Sequence, residues 1–172
     1  MNDPLNILFL SSEVAPYAKT GGLADVAGSL PGALKGLGIH VSVGLPLYRS
    51  VKEGSFQRRL VFKGLQVPLG GQTLAGNVQA SETEDGVPVY LFEREDFFDR
   101  PNLYRTAEGD YYDNLERFAF FSRAALLFAR ATGMRFDLIH CHDWQTGLIP
   151  AHLSTLFRTD PFFSSTATLF TI

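Results

Sequence analysis

The sequence predicts an α/β fold built on a doubly wound, mostly parallel sheet with a β-hairpin excursion, and three observations carry that expectation. Short apolar runs of strand length alternate with amphipathic stretches of helical period, the pattern of a parallel sheet covered on both faces. A glycine-bearing turn joins the first such run to the first helical stretch. Of the 172 residues, 45% are hydrophobic and 15 are Phe, enough to bury a sizeable core in one domain.

The elements follow in order. Asn6–Leu10 (NILFL) is a continuous apolar run, the mark of a strand buried on both faces. After the turn, Leu23, Val26, Ala27, Leu30, Leu34 and Leu37 recur at helical spacing, with Gly36 and Gly38 as stop signals. Pro31 lies inside this stretch and removes one backbone donor, so the helix is expected to kink or divide. Residues 39–45 read as the second strand, completing a βαβ unit whose crossover should be right-handed. Segments 60–69, 73–80 and 87–92 read as strands separated by turns at Gly70-Gly71 and Asp85-Gly86. A polar, aromatic loop spans 93–110, with Tyr104, Tyr111 and Tyr112 in or beside it.

A helix is predicted over 114–131, with Leu115, Phe118, Ala119, Ser122, Leu126 and Ala129 near one stripe and Gly133 as its stop. A strand at 136–141, a helix at 144–157 containing Pro150, and a strand at 166–172 close the chain. The whole is a Rossmann-like succession, in which ligands bind beyond the carboxyl ends of the strands.

Composition narrows the function classes. Fifteen basic against 18 acidic residues give a net charge of −3, which argues against a nucleic-acid partner. No stretch approaches the length of a membrane span, and Met1-Asn2-Asp3-Pro4 is not the start of a signal peptide. The single cysteine, Cys141, excludes an internal disulfide and suits a reducing cytoplasm.

Three segments hold the candidate chemistry. The first is Lys19-Thr20-Gly21-Gly22, between the first strand and first helix. Glycines let the backbone approach a ligand and can adopt φ > 0, the helix start offers free N–H groups, and Lys19 adds a charge. The combination suits a diphosphate, although it is neither G-x-G-x-x-G nor a P-loop; a plain βα turn with a solvated lysine is the other reading. Asp25, in the first helical turn, either compensates the helix dipole or accepts hydrogen bonds from sugar hydroxyls, and Glu13 carries the same ambiguity.

The second segment is His140-Cys141-His142-Asp143-Trp144, where His140 and His142 share a strand face and Asp143 stands at a helix N-cap position. His-x-His-Asp offers three possible metal ligands, but no further cluster completes a site, so cleft-lining polar residues and no metal are expected. The third is Tyr111-Tyr112-Asp113-Asn114, a helix N-cap whose exposed tyrosines are candidates for stacking on sugar rings.

Taken together, three stretches resemble the N-terminal catalytic domain of bacterial glycogen synthases and plant starch synthases. They are SSEVAPYAKTGGLADVAGSLPGAL (11–34), YYDNLERFAFFSRAAL (111–126) and DLIHCHDWQTGLIPAHL (137–153). The resemblance implies one half of a two-Rossmann-domain (GT-B) glycosyltransferase, spanning residues 1–172. Such an enzyme retains configuration as it moves glucose from ADP-glucose to the non-reducing 4-hydroxyl of an α-1,4-glucan, with no cofactor. By motif, Lys19, Thr20, Gly21 and Gly22 would hold the donor diphosphate and Asp25 would lie by the donor sugar. His142 and Asp143 would line the cleft near the reacting sugar, and Tyr112 and Asn114 would contact substrate.

The family's pattern continues beyond Thr171-Ile172 into a His-Asn pair and a second Rossmann domain. That domain holds most nucleotide contacts, so the isolated chain is expected to be inactive, and the choice of ADP over UDP lies outside it. Two alternatives stand beside this reading. One is a non-catalytic glucan or nucleotide-sugar binding module; the other is a metal-dependent hydrolase using His140, His142 and Asp143.

Overall fold

The computed structural model describes residues 4–172. Strand β1 (Asn6–Leu10) leads into helix α1 (Gly22–Gly36), strand β2 (His40–Pro46) and the short helix α2 (Arg49–Glu53). The hairpin β3 (Arg59–Leu69) and β4 (Gln72–Glu82) precedes β5 (Pro88–Glu93). Helix α3 (Glu95–Phe98) and the two-residue strands β6 (Arg105–Thr106) and β7 (Gly109–Asp110) come next. Helix α4 (Asn114–Thr132), β8 (Leu138–His142), a 3-10 turn at Trp144–Thr146, α5 (Leu148–Ser154) and β9 (Ala167–Thr171) complete the chain.

Seven strands form one sheet in the order β3-β4-β5-β2-β1-β8-β9. Strands β5, β2, β1, β8 and β9 run parallel, while β3 and β4 pair antiparallel with each other and β4 with β5. The hairpin excursion is therefore an antiparallel extension of a parallel sheet. Its Gly70-Gly71 turn has positive φ at both residues (57° and 81°), a backbone that L side chains resist and glycine accepts. Consecutive residues of β1, from Ile7 to Leu10, are all buried, so both faces of the sheet are covered. Helix α4 lays Phe121 and Phe128 on Phe92 of β5, with ring centroids 5.5 and 5.8 Å apart.

Several expectations are corrected. Pro31 does not divide α1, which is one helix; its ring is buried, and core contact offsets the lost hydrogen bond. The buried stripe of α1 is Ala24, Ala27 and Pro31, whereas Val26 and Leu37 are 49% and 79% exposed. Small side chains let α1 approach closely, and a Cβ on Gly28 would stand 2.6 Å from the Ala15 carbonyl oxygen. In α4, Leu115 is exposed. The stretch 144–157 is not one helix but a 3-10 turn followed by α5, and 93–110 contains α3 and the β6–β7 hairpin rather than loop alone. Neither Asp113 nor Asp143 makes a side-chain cap. The Asp113 carboxylate instead takes two bonds from Arg100, at 2.7 and 2.5 Å.

Sheet order decides where the site lies. From β1 the chain passes to β2 on one side, while β8 and β9 lie on the other, so β1 and β8 flank a topological switch point. Their carboxyl ends carry the Lys19 loop and the His142-Asp143-Trp144 segment, respectively.

Candidate functional site at the β1–β8 switch point

The buried carboxylate of Glu13 organises the loop after β1. Its Oε2 accepts the backbone N–H of Thr20 at 2.5 Å and of Gly21 at 3.1 Å. Its Oε1 accepts the Thr20 hydroxyl at 2.6 Å and the Tyr104 hydroxyl at 2.8 Å. Burial pushes this carboxyl up, but the hydrogen bonds from Thr20, Tyr104 and Gly21 outweigh it and hold it below the usual range. The chain thus supplies its own anion at the approach to α1, whose N-cap is Gly21. Two of the N–H groups expected to face a ligand are already taken.

What the loop leaves open is different. Lys19 Nζ pairs with both oxygens of Asp25, at 2.6 and 2.8 Å, and both side chains are more than half exposed. An exposed pair of this kind contributes at most about 1 kcal/mol, so a more highly charged anion can displace it. Gly21 and Gly22 do not use the φ > 0 region. A Cβ on either would meet nothing within 4 Å, so the space above them is open. Beside the loop a groove of about 590 Å³ runs between Tyr17, Lys19 and Thr20 on one wall and Tyr104, Arg105 and Thr106 on the other.

At the end of β8, His140 and His142 lie on one face with ring centroids 4.0 Å apart, as strand alternation requires. His142 stacks on Phe9 at 4.1 Å. Burial, with a smaller push from His140, lowers the His142 imidazole to about 4, so it is neutral at pH 7. Its Nε2 is buried with no hydrogen-bond partner among the described residues. His140 Nε2 lies 2.8 Å from the Thr171 hydroxyl. Asp143 takes φ 56° and ψ 179°, the one non-glycine residue with positive φ among those described. Such a backbone costs on the order of 1–3 kcal/mol and gathers at functional sites. It is held by the Asp143 N–H donating to the Thr171 carbonyl at 2.9 Å and by Thr146 N–H donating to the Asp143 carbonyl at 3.2 Å.

The Tyr111–Asn114 segment splits in its roles. Tyr112 is 97% exposed. Asn114 uses both ends of its amide inside the fold: Nδ2 donates to the Tyr104 carbonyl at 2.9 Å, and Oδ1 accepts from Arg117 at 2.6 Å. Arg117, to which the sequence alone assigns no role, is fully buried. It donates to the carbonyls of Phe97 and Leu103 and lies against the rings of Tyr111, Phe98 and Phe118. An arginine beside Phe118 on the apolar side of a helix was the available signal.

Lys19, Asp25, His142 and Asp143 therefore come to one sheet edge. Tyr104 ties the edge together: its hydroxyl bonds Glu13 and approaches Ser12 at 2.8 Å, and its ring lies 6.3 Å from that of Trp144. Among the described residues no three His, Cys, Asp or Glu side chains are grouped to hold a metal ion. Nor is any helix among them long and apolar enough to cross a membrane.

Comparison with known proteins agrees with this architecture. The starch synthase catalytic domain matches residues 6–172. Glycogen synthase 2 of Geobacter sulfurreducens is 48% identical over 98% of this chain, and the glycogen synthase of Syntrophotalea carbinolica 46% identical over 98%. Each is covered over 34% of its own length, so the chain spans about a third of these curated relatives. The catalytic domain of starch synthase IV from Arabidopsis thaliana, solved bound to ADP and acarbose, superposes with a TM-score of 0.87 at 30% identity, over 97% of this chain and 33% of that one. A parallel sheet with this switch point and these motif positions, matched from β1 to the last residue, places the chain in the starch synthase catalytic domain family.

Proposed function

We propose that this chain is the N-terminal Rossmann half of a glycogen or starch synthase, a GT-B enzyme that moves glucose from ADP-glucose to the 4-hydroxyl of an α-1,4-glucan. A second Rossmann domain would complete the cleft, and the enzyme would work in the cytoplasm. The observation that carries the reading is the Lys19 loop, set at the switch point of a domain that superposes on an enzyme bound to ADP and acarbose.

Bond cleavage between sugar and phosphate builds positive charge on the sugar and negative charge on departing ADP. Lys19 would leave Asp25 for the diphosphate, and the open space over Gly21 and Gly22 would admit it. Asp25, released from the lysine, would be free to accept hydroxyls of the donor sugar. Glu13 holds the Thr20–Gly21 backbone in place before the donor arrives, so little reorganisation is needed when charge develops. His142, neutral and with an unpartnered nitrogen, is suited to a hydrogen bond with a sugar hydroxyl, and Asp143 adjoins it. Tyr112 is available for sugar contact. Asn114 is better placed to position Tyr104 and Arg117 than to meet substrate itself.

The test is glucose incorporation into glycogen by the longest reading frame that contains this chain, with ADP-glucose and UDP-glucose supplied in parallel. Transfer from ADP-glucose is expected. Absence of transfer from either donor overturns the reading.

A further inference from the structure

We propose that the groove between α4 and the turn after α5 binds a small carboxylate with an apolar body, held by the guanidinium of Arg123. The site does not depend on the synthase reading and uses none of the residues placed at the β1–β8 edge.

One wall of the groove is a face of α4. Arg123, Leu127 and Arg130 recur there at i, i+4 and i+7, the spacing that puts side chains on one side of a helix. Leu156, Phe157 and Asp160, in the turn that follows α5, form the opposite wall. The space between them measures about 560 Å³, the size of a small-molecule pocket. Asn114 bonds Tyr104 at the cleft edge, and Arg123 stands roughly 14 Å further along the same helix at 1.5 Å of rise per residue. The groove is therefore set away from the Lys19 loop.

The charges along it do not balance. Arg130 Nε pairs with Asp160 at 3.1 Å, and the two cancel. Arg123 forms no ion pair among the described residues, and its Nε is buried without a hydrogen-bond partner among them. The neighbouring His152 does not compensate it. Burial, and then the charge of Arg123, hold that imidazole below its ordinary value, and its Nε2 is buried without a partner as well. A partly buried cation with an unused donor gains from an oxyanion, because it has given up hydrogen bonds to water and made none in exchange. One uncompensated positive charge calls for one negative charge, and the planar fork of arginine matches the two oxygens of a carboxylate. The other half of the ligand follows from the rest of the lining. Leu127, Leu156 and Phe157 offer apolar contact, and Leu156 keeps 54% of its surface exposed, which an apolar body would cover.

Phenylacetate, a carboxylate on an apolar ring, is the probe. Calorimetric titration into the 172-residue chain should give saturable binding at a single site. Phenylacetamide, the same body without the charge, should bind at least about 10-fold more weakly, the size of a hydrogen-bonded charge. Arg123→Gln should weaken phenylacetate binding by about as much, and Arg123→Lys should recover part of the loss. Leu156→Glu places a negative charge at an exposed position of the lining and should weaken phenylacetate binding by repulsion while melting near wild type. That variant decides the matter should Arg123→Gln fail to fold. Absence of saturable phenylacetate binding overturns the proposal, and so does binding that Leu156→Glu or a folded Arg123→Gln leaves unchanged. Inorganic phosphate that competes as well as phenylacetate also overturns it, since the apolar wall would then contribute nothing. The synthase reading stands or falls separately, on glucose transfer by the longer reading frame.

Discussion

Glu13 shows how one residue can hold a loop ready for a ligand it does not itself need to touch. Its carboxylate gathers four donors, three of them from Thr20 and Gly21, and each bond to a charged acceptor contributes about 1.5–3 kcal/mol when buried. Glu13→Gln replaces one acceptor oxygen by a donor and sets it against N–H groups, so the variant should melt below wild type at pH 7. The folded-state carboxyl titrates below its ordinary value of 4.5. Its stabilisation is therefore complete above that value and is lost as pH falls through the lower folded one. The gap between wild-type and Glu13→Gln melting temperatures should close over that acidic range; a gap independent of pH would show that charge is not the cause.

His142 makes the complementary prediction. Burial favours the neutral ring, lowering it from 6.5 to about 4. The stability of the neutral folded form is present above pH 6.5 and is lost between there and about 4, as the unfolded chain takes up a proton that the folded chain resists. An imidazole C–H titration by NMR should place the midpoint near 4. A midpoint near 6.5 would mean that the ring is open to water.

At the scale of elements, α1 sets helix propensity against close packing. Alanine is favoured over glycine inside a helix by about 1 kcal/mol. At Gly36, where a Cβ would meet nothing within 4 Å and φ is not positive, Gly36→Ala should raise the melting temperature. At Gly28 the added Cβ would stand 2.6 Å from the Ala15 backbone oxygen, which cannot swing aside as a side chain would. Gly28→Ala should therefore lower stability in the same melting experiment, and a rise would show that the loop yields easily.

The same helix shows what was legible in the sequence. Its extent, the βαβ unit and the position of the Lys19 loop follow from periodicity and glycine punctuation, which are local. Which residues face the core followed only in part: Ala27 stood in the predicted stripe, but Ala24, a weak hydrophobic signal that permits close approach, did not, and Val26 and Leu37 point outward. The occupation of the loop N–H groups was also hidden. Glu13 and Tyr104 are 91 residues apart, and only the tertiary fold brings them together. Arg117 signalled its burial only by standing beside Phe118, because two of its partners are the backbone carbonyls of Phe97 and Leu103, which leave no pattern in side-chain chemistry.

For the whole molecule, lateral strand order matters more than strand content. Apolar runs announce strands, but not that β8 lies beside β1 although 127 residues lie between Leu10 and Leu138. That adjacency puts the Lys19 loop and the His142-Asp143 segment after the carboxyl ends of neighbouring strands, and the proposed transfer would divide labour between them. Lys19 should matter for donor use and little for the acceptor, because its exposed pairing with Asp25 leaves it free to meet a diphosphate. In the longest reading frame, Lys19→Ala should lower kcat/KM for ADP-glucose by about 10²–10³, the loss typical of one donor to developing negative charge. The KM for glycogen should stay close to wild type. Steady-state kinetics with each substrate varied in turn separates the two effects, and wild-type donor kinetics in Lys19→Ala would remove the loop from the reaction.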